Sequence, residues 1–150
     1  MEKLAIEGGE RVRSDPFPAR ILFGQEEKRV LLQLLEREME AGGGFDRYGG
    51  TEVDAFEKGF ADHFGSAYAT ATSSGTGAIH SALGALRLEP GSEVISSPIT
   101  DPGGVAPILW NNCIPVFADA DPETFNVDPE SIAERISDRT RAIVVAHIAG

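Results

Sequence analysis

The stretch Ala67-Tyr68-Ala69-Thr70-Ala71-Thr72-Ser73-Ser74-Gly75-Thr76-Gly77-Ala78-Ile79-His80-Ser81-Ala82-Leu83 decides how this chain is read. A short β-like run, Tyr68–Thr72, leads through a small, hydroxyl-rich turn into a segment with helical apolar spacing. A strand that passes through such a turn into a helix N-terminus makes an anion site. The first helical N–H groups have no partner, the dipole is positive there, and glycine lets a phosphate approach the backbone. Ser73, Ser74 and Thr76 can add hydroxyl donors. The spacing therefore predicts a phosphate cup at Ser74, Gly75 and Thr76, against the plainer reading of a capped strand–helix junction.

The rest of the chain sets bounds on this reading. Its 150 residues match about one domain and can bury a core. A composition of 41% hydrophobic and 25% charged residues is that of an ordinary globular protein. The net charge of −11 argues against a nucleic-acid or anionic-membrane partner, both of which want a basic surface. Cys113 is the single cysteine, so no internal disulfide can form and a reducing compartment fits. It reads as a small apolar core residue. The N-terminus has no signal-like run, and no stretch approaches the ~20 apolar residues of a membrane span. A cytoplasmic location is expected.

Residues 1–24 read as an irregular arm, and 25–150 as the domain proper. A helix is expected over Gln25–Glu40, where Val30, Leu31, Leu34 and Leu35 share a face, and Gly42-Gly43-Gly44 ends it. Thr51 with Asp54 resembles a capping box opening a second helix, with Val53, Phe56, Phe60 and Phe64 on one stripe. From Ala67 onward strands and helices alternate. Strands are expected at Tyr68–Thr72, Val94–Ser97, Pro115–Ala118 and Ala142–His147. Helices are expected at Thr76–Leu86, irregularly at Gly104–Asn111, and after the Asp128-Pro129 cap. This alternation predicts an α/β fold, a three-layer αβα sandwich with a mainly parallel sheet. Ligands of such sheets bind beyond the carboxyl ends of the strands, where both the Ser73–Thr76 turn and the Ile99–Gly104 loop fall.

Other candidates are weaker. Asp119, Asp121, Glu123, Asn126 and Asp128 superficially resemble a calcium loop, but the glycine at the sixth position and the glutamate at the twelfth are missing, so caps and turns are expected instead. His63, His80 and His147 show no metal-ligand spacing, and no metal site is expected. His80 lies one turn beyond Thr76 and reads as a core or helix-side residue. No P-loop, dinucleotide or Gly-x-Ser-x-Gly pattern occurs.

Several blocks, in order and spacing, resemble one family. They are Tyr48-Gly49-Gly50 with Val53 and Phe56-Glu57, Ser74-Gly75-Thr76-Gly77-Ala78-Ile79-His80, and Pro90-Gly91-Ser92-Glu93-Val94-Ile95. Pro115–Asn126, Arg139–Ile143 and His147-Ile148-Ala149-Gly150 follow. From about Ile21 to Gly150 the chain resembles the DegT/StrS-type sugar aminotransferases, a branch of the fold-type-I pyridoxal-phosphate (PLP) enzymes. The match falls on the first part of their large domain. The resemblance implies that Ser74, Gly75 and Thr76 bind the PLP phosphate. It also implies a homodimer in which the Phe45–Gly50 loop, with Phe45, Tyr48 and Gly49, reaches toward substrate. Turnover would pass an amino group from a donor, commonly glutamate, to a keto-sugar or keto-cyclitol.

Two departures from the pattern matter. Where the family places an aromatic residue over the cofactor ring, after Thr100, this chain has Asp101, followed by Pro102-Gly103-Gly104. Asp101 is counted with the cofactor-binding residues; its carboxylate would contact substrate or the ring edge, or face solvent. Transamination also needs a Schiff-base lysine and a carboxylate for the pyridine nitrogen. The only lysines are Lys3, Lys28 and Lys58, none after the phosphate turn, so no catalytic residue is expected within these 150 residues. The chain is read as the N-terminal portion of a longer enzyme, an amino-sugar or aminocyclitol aminotransferase. The alternatives are a PLP-dependent sugar dehydratase of the same fold, with histidine in place of the lysine, and a non-catalytic interaction module.

Overall fold

Gln25 to Glu40 form one helix, α1, as the apolar spacing requires. Its first turn is tied down by Glu27, whose Oε2 accepts the Gly24 N–H at 2.7 Å. Glycine has no side chain to return the bond, so this is half of a capping box. Gly42, at φ 69°, follows the end of the helix in the left-handed region. In the computed structural model, which describes residues 3–20, 22–45 and 48–147, the chain divides into two compact units, Met1–Gly50 and Thr51–Gly150. The first holds a 3-10 turn at Ala5–Glu7 and α1. Leu34 of α1 is half-buried, while Val30, Leu31 and Leu35 stay largely exposed.

The second unit begins with α2, Thr51–Phe64. The helix opens at Thr51 itself, one residue earlier than a cap at that position would place it. The Phe56, Phe60 and Phe64 stripe is as expected: successive rings stack with centroids 5.9 and 4.5 Å apart. Next come α3 (Gly75–Ala85), β1 (Glu93–Ser96), a 3-10 turn at Pro102–Gly104, α4 (Ala106–Trp110), β2 (Ile114–Phe117), α5 (Pro129–Arg135) and β3 (Thr140–Val144). The irregular helix expected over Gly104–Asn111 is thus a 3-10 turn and a short helix.

The strands form a parallel sheet in the order β2-β1-β3, so the α/β class and the parallel sheet stand. β1 lies in the middle with all four residues buried, which suits an apolar strand flanked on both edges. Val94 faces Pro115 on one side and Ala142 on the other. Proline cannot donate to a ladder, and Pro115 is tolerated because β2 is an edge strand. β3 begins at Thr140, earlier than expected, and its ladder ends where Ser96 meets Val144. Glu93, only 6% exposed, is compensated by the Arg139 guanidinium and by the Ser137 hydroxyl at 2.5 Å.

One expected strand is not formed. Tyr68–Thr72 has no ladder partner among the described residues. The carboxylate of Glu57 on α2 accepts the Ala71 N–H at 2.7 Å instead, so a side chain meets the backbone need that a neighbouring strand would meet. Alternation of residue types can mark an extended segment, but it does not supply the neighbour that makes it a strand.

The core joins Leu83 of α3, Val94 of β1, Ile108 of α4 and Cys113, with Ile79, Leu88, Ala142 and Val144 packed around them. Cys113 is 4% exposed and serves as the small apolar residue its sequence context indicated. Ile108 is fully buried, so Ile108→Ala should destabilise the protein by about 2–5 kcal/mol through lost contacts and a residual cavity. Denaturant unfolding measures this, and a loss below about 1 kcal/mol would contradict the packing described.

Candidate functional site

The N-terminus of α3 is built as the sequence leads one to expect. Ser74 is the N-cap in extended conformation, and its Oγ accepts the Gly77 N–H at 3.0 Å. The carbonyl of Ser74 accepts the Ala78 N–H at 3.0 Å and the Thr72 hydroxyl at 2.8 Å, so the approach to the turn is held from both sides. The N–H groups of Gly75 and Thr76 then remain without partners among the described residues, as does the Thr76 hydroxyl. Ser74 keeps a hydroxyl proton to donate, since its bond to Gly77 uses only a lone pair. Four donors thus converge at the positive end of an 11-residue helix.

A cleft of about 370 Å³ opens beside this helix end, at the carboxyl ends of β1 and β3. Gly75, Thr76 and Ile79 line one side, Thr100, Asp101, Gly103 and Gly104 a second, and Val144, Val145 and Ala146 a third. The volume is in the range of small-molecule and cofactor sites, and the position is the one that open α/β sheets use. The Asp101 Oδ1 accepts the Gly103 N–H at 2.8 Å and caps the 3-10 turn, whose Pro102 has no N–H to satisfy. Gly103 and Gly104 are buried because nothing larger fits. A Cβ at Gly103 would collide with the Thr76 Oγ1, and one at Gly104 would lie 2.7 Å from the Thr100 Oγ1.

The structure therefore brings Ser74, Gly75, Thr76 and Asp101 to one cleft. Thr100, Gly103 and Gly104, which the sequence placed in the Ile99–Gly104 loop at the ligand end of the sheet without giving them a role, also line the cleft. Phe45 and Tyr48 are exposed and Gly49 has a φ of 129°, in the first compact unit, while Asp46 and Arg47 lie outside the described residues. His80 is exposed and packs edge-on against Trp110, with ring centroids 5.6 Å apart, a helix-side placement. The donor set fits a phosphate monoester, with backbone and hydroxyl donors on one wall, Thr100, the Asp101 carboxylate and two glycines on a second, and an apolar third. No lysine lines the cleft among the described residues.

The acidic segment after β2 is a capped turn. Asp121 Oδ1 accepts the N–H groups of Glu123 and Thr124 at 3.0 and 2.7 Å, Asp128 caps α5, and Ala120 bridges Val127.

Residues 27–150 match the DegT/DnrJ/EryC1/StrS aminotransferase family. This chain belongs to that family. It is 36% identical over 147 residues to a putative L-glutamine:3-amino-2,3-dideoxy-scyllo-inosose aminotransferase of Micromonospora echinospora, covering 98% of this chain and 34% of that protein. The chain thus spans about a third of the length of the curated relatives it matches. Among solved structures it superimposes on an aminotransferase from Psychrobacter cryohalolentis with a TM-score of 0.80 and 36% identity, over 90% of this chain and 33% of the other. A GDP-4-keto-6-deoxymannose-3-dehydratase with a trapped PLP-glutamate geminal diamine is similar at a TM-score of 0.75 and 28% identity, over 87% and 34% of the two chains. The fold is that of the fold-type-I aminotransferases.

The Thr124 backbone N–H, then its hydroxyl, hold the Asp121 carboxyl below its ordinary value. A depressed carboxylate stabilises the fold above its unfolded pKa, and this contribution is lost as pH falls through the lower folded value. In a carboxyl ¹³C NMR titration, Thr124→Val should move Asp121 part of the way back up, since the backbone donors remain. An unmoved Asp121 would remove the hydroxyl from this account.

Proposed function

We propose that this family member works as part of a PLP-dependent aminotransferase that carries an amino group from an amino acid to a keto-sugar or keto-cyclitol. The observation that carries the reading is the set of unpartnered Gly75 and Thr76 N–H groups and the Thr76 hydroxyl, facing a cleft at the strand ends. Ser74, Gly75 and Thr76 would hold the phosphate, with helix N–H groups and dipole favouring its negative charge. Asp101, Gly103 and Gly104 line a second side of the cleft and Val144–Ala146 a third. When bound, pyridoxal phosphate supplies the electron sink for amino transfer, and the protein supplies its position.

The donor belongs to the glutamine/glutamate pair. Glutamate is the donor expected from the sequence, and glutamine is the one in the name of the Micromonospora relative. The Schiff-base lysine and the pyridine-nitrogen carboxylate are proposed to come from outside these 150 residues. Lys58 is exposed and pairs with Asp62 at 2.5 Å. A cytoplasmic homodimer in which Phe45, Tyr48 and Gly49 serve the acceptor side completes the proposal. A dehydratase of the same fold is the second reading; the greater likeness to the aminotransferase structure, in both identity and TM-score, ranks it lower.

Intact mass after incubation with PLP and borohydride distinguishes these readings. A reduced PLP adduct on lysine in the full-length protein supports amino transfer, and its absence points to the dehydratase or to a non-catalytic module. Thr76→Val should raise the dissociation constant for PLP about ten- to a hundredfold, the loss of one hydrogen bond to a charged group. Unchanged affinity would reject the phosphate assignment. Tyr48→Ala should raise the KM for the keto acceptor while leaving PLP affinity unchanged; a shift in PLP affinity alone would move Tyr48 to the cofactor side.

A further inference from the structure

We propose that Asp101 is a positioning residue for the phosphate turn, acting through Gly103 on the rotamer of Thr76. The proposal rests on the phosphate reading of the α3 N-terminus. The Asp101 side chain is exposed, yet its Oδ1 is committed to the Gly103 N–H at 2.8 Å. The same turn is closed by the Gly104 N–H to the Asp101 carbonyl at 2.8 Å and the Val105 N–H to the Pro102 carbonyl at 3.0 Å. Proline adds a fixed φ at the first turn position. Asp101 is thus the side-chain latch of a rigid 3-10 turn.

That turn presses on α3. Gly103 is buried, and the atom in its way is the Thr76 Oγ1; Gly104 sits in the same manner against Thr100. Thr76 is the second residue of α3 and has no helical turn before it, so no back-bond to a helical carbonyl fixes its χ1. Its hydroxyl rests against Gly103 instead. The latched turn therefore limits where the hydroxyl can swing and keeps it beside the helix end. An aromatic side chain at position 101 could not accept the Gly103 N–H. Its place is taken by a residue that orders the cup from behind.

The test is a set of binding titrations on the full-length protein with PLP, pyridoxal and inorganic phosphate as separate probes, the first two read by cofactor absorbance and phosphate by its competition with PLP. Asp101→Ala should weaken PLP and phosphate about three- to tenfold and leave pyridoxal unchanged, because only the phosphate end feels Thr76. Asp101→Asn keeps an oxygen for the Gly103 N–H and should stay within about twofold of the parent. Asp101→Ala combined with Thr76→Val should bind PLP no more weakly than Thr76→Val alone, since both act on one hydroxyl. Several results overturn the inference: an Asp101→Asn as weak as Asp101→Ala, which would make the charge the active element; an equal loss for pyridoxal; or additive losses in the double variant. If Thr76→Val itself leaves PLP and phosphate binding untouched, the phosphate reading fails, whereas a Thr76→Val effect with a silent Asp101→Ala removes only the positioning role. Should Asp101→Ala lower the thermal stability, Asp101→Ser, which also caps, must restore the phosphate-specific affinity.

Discussion

Everything in the larger unit hangs on β1. Its four residues are buried, so their backbone N–H and C=O groups need partners, which β2, β3 and the residues just beside them, Ala118 and Arg139, supply. That requirement sets the register, fixes where the sheet ends, and leaves Thr100 and Val144–Ala146 lining one cleft. The cleft is a direct result, because α3 has to lay its apolar side on Val94 and Ile108. Glu93 shows how strictly the requirement is kept. A carboxylate at the start of a buried strand is accepted only with Arg139 and Ser137 placed on it.

The site then follows from the geometry of ends. A helix that starts at the sheet's carboxyl edge leaves its unpaired N–H groups facing the space beyond the strands. Ser74 satisfies one of these groups and leaves those of Gly75 and Thr76 for a ligand. The carboxylate next to this positive end is already engaged by a backbone N–H, which moderates its repulsion of an anion. Two small turns from distant parts of the chain thus meet at one cleft.

The sequence was legible where a local rule decides the outcome. The N-caps at Ser74 and Asp128 and the α1 and α2 apolar spacing each carry their own physical cause, whereas the strand expected at Ala142–His147 runs over Thr140–Val144. Tyr68–Thr72 failed because a strand is a relation between two segments, and only one of them can be read from a local pattern. The capped helix start at Ser74-Gly75-Thr76 was visible, since helix starts and their unpaired N–H groups depend on neighbours in sequence. Gly103 was not visible in that way. Its reason for being glycine is an oxygen 27 positions earlier, brought beside it by the packing of α3 on the loop.

That contact also restricts what this chain can become. A methyl group at position 103 and the Thr76 hydroxyl as it is now placed claim the same space, so only a movement of the Thr76 side chain or of the backbone would let both be present. A lineage that kept the hydroxyl in its present place would be bound to glycine twenty-seven residues later, and one that enlarged position 103 would first have to turn the hydroxyl away or give it up. The two positions form a single heritable character, and single-site changes would meet it as a barrier.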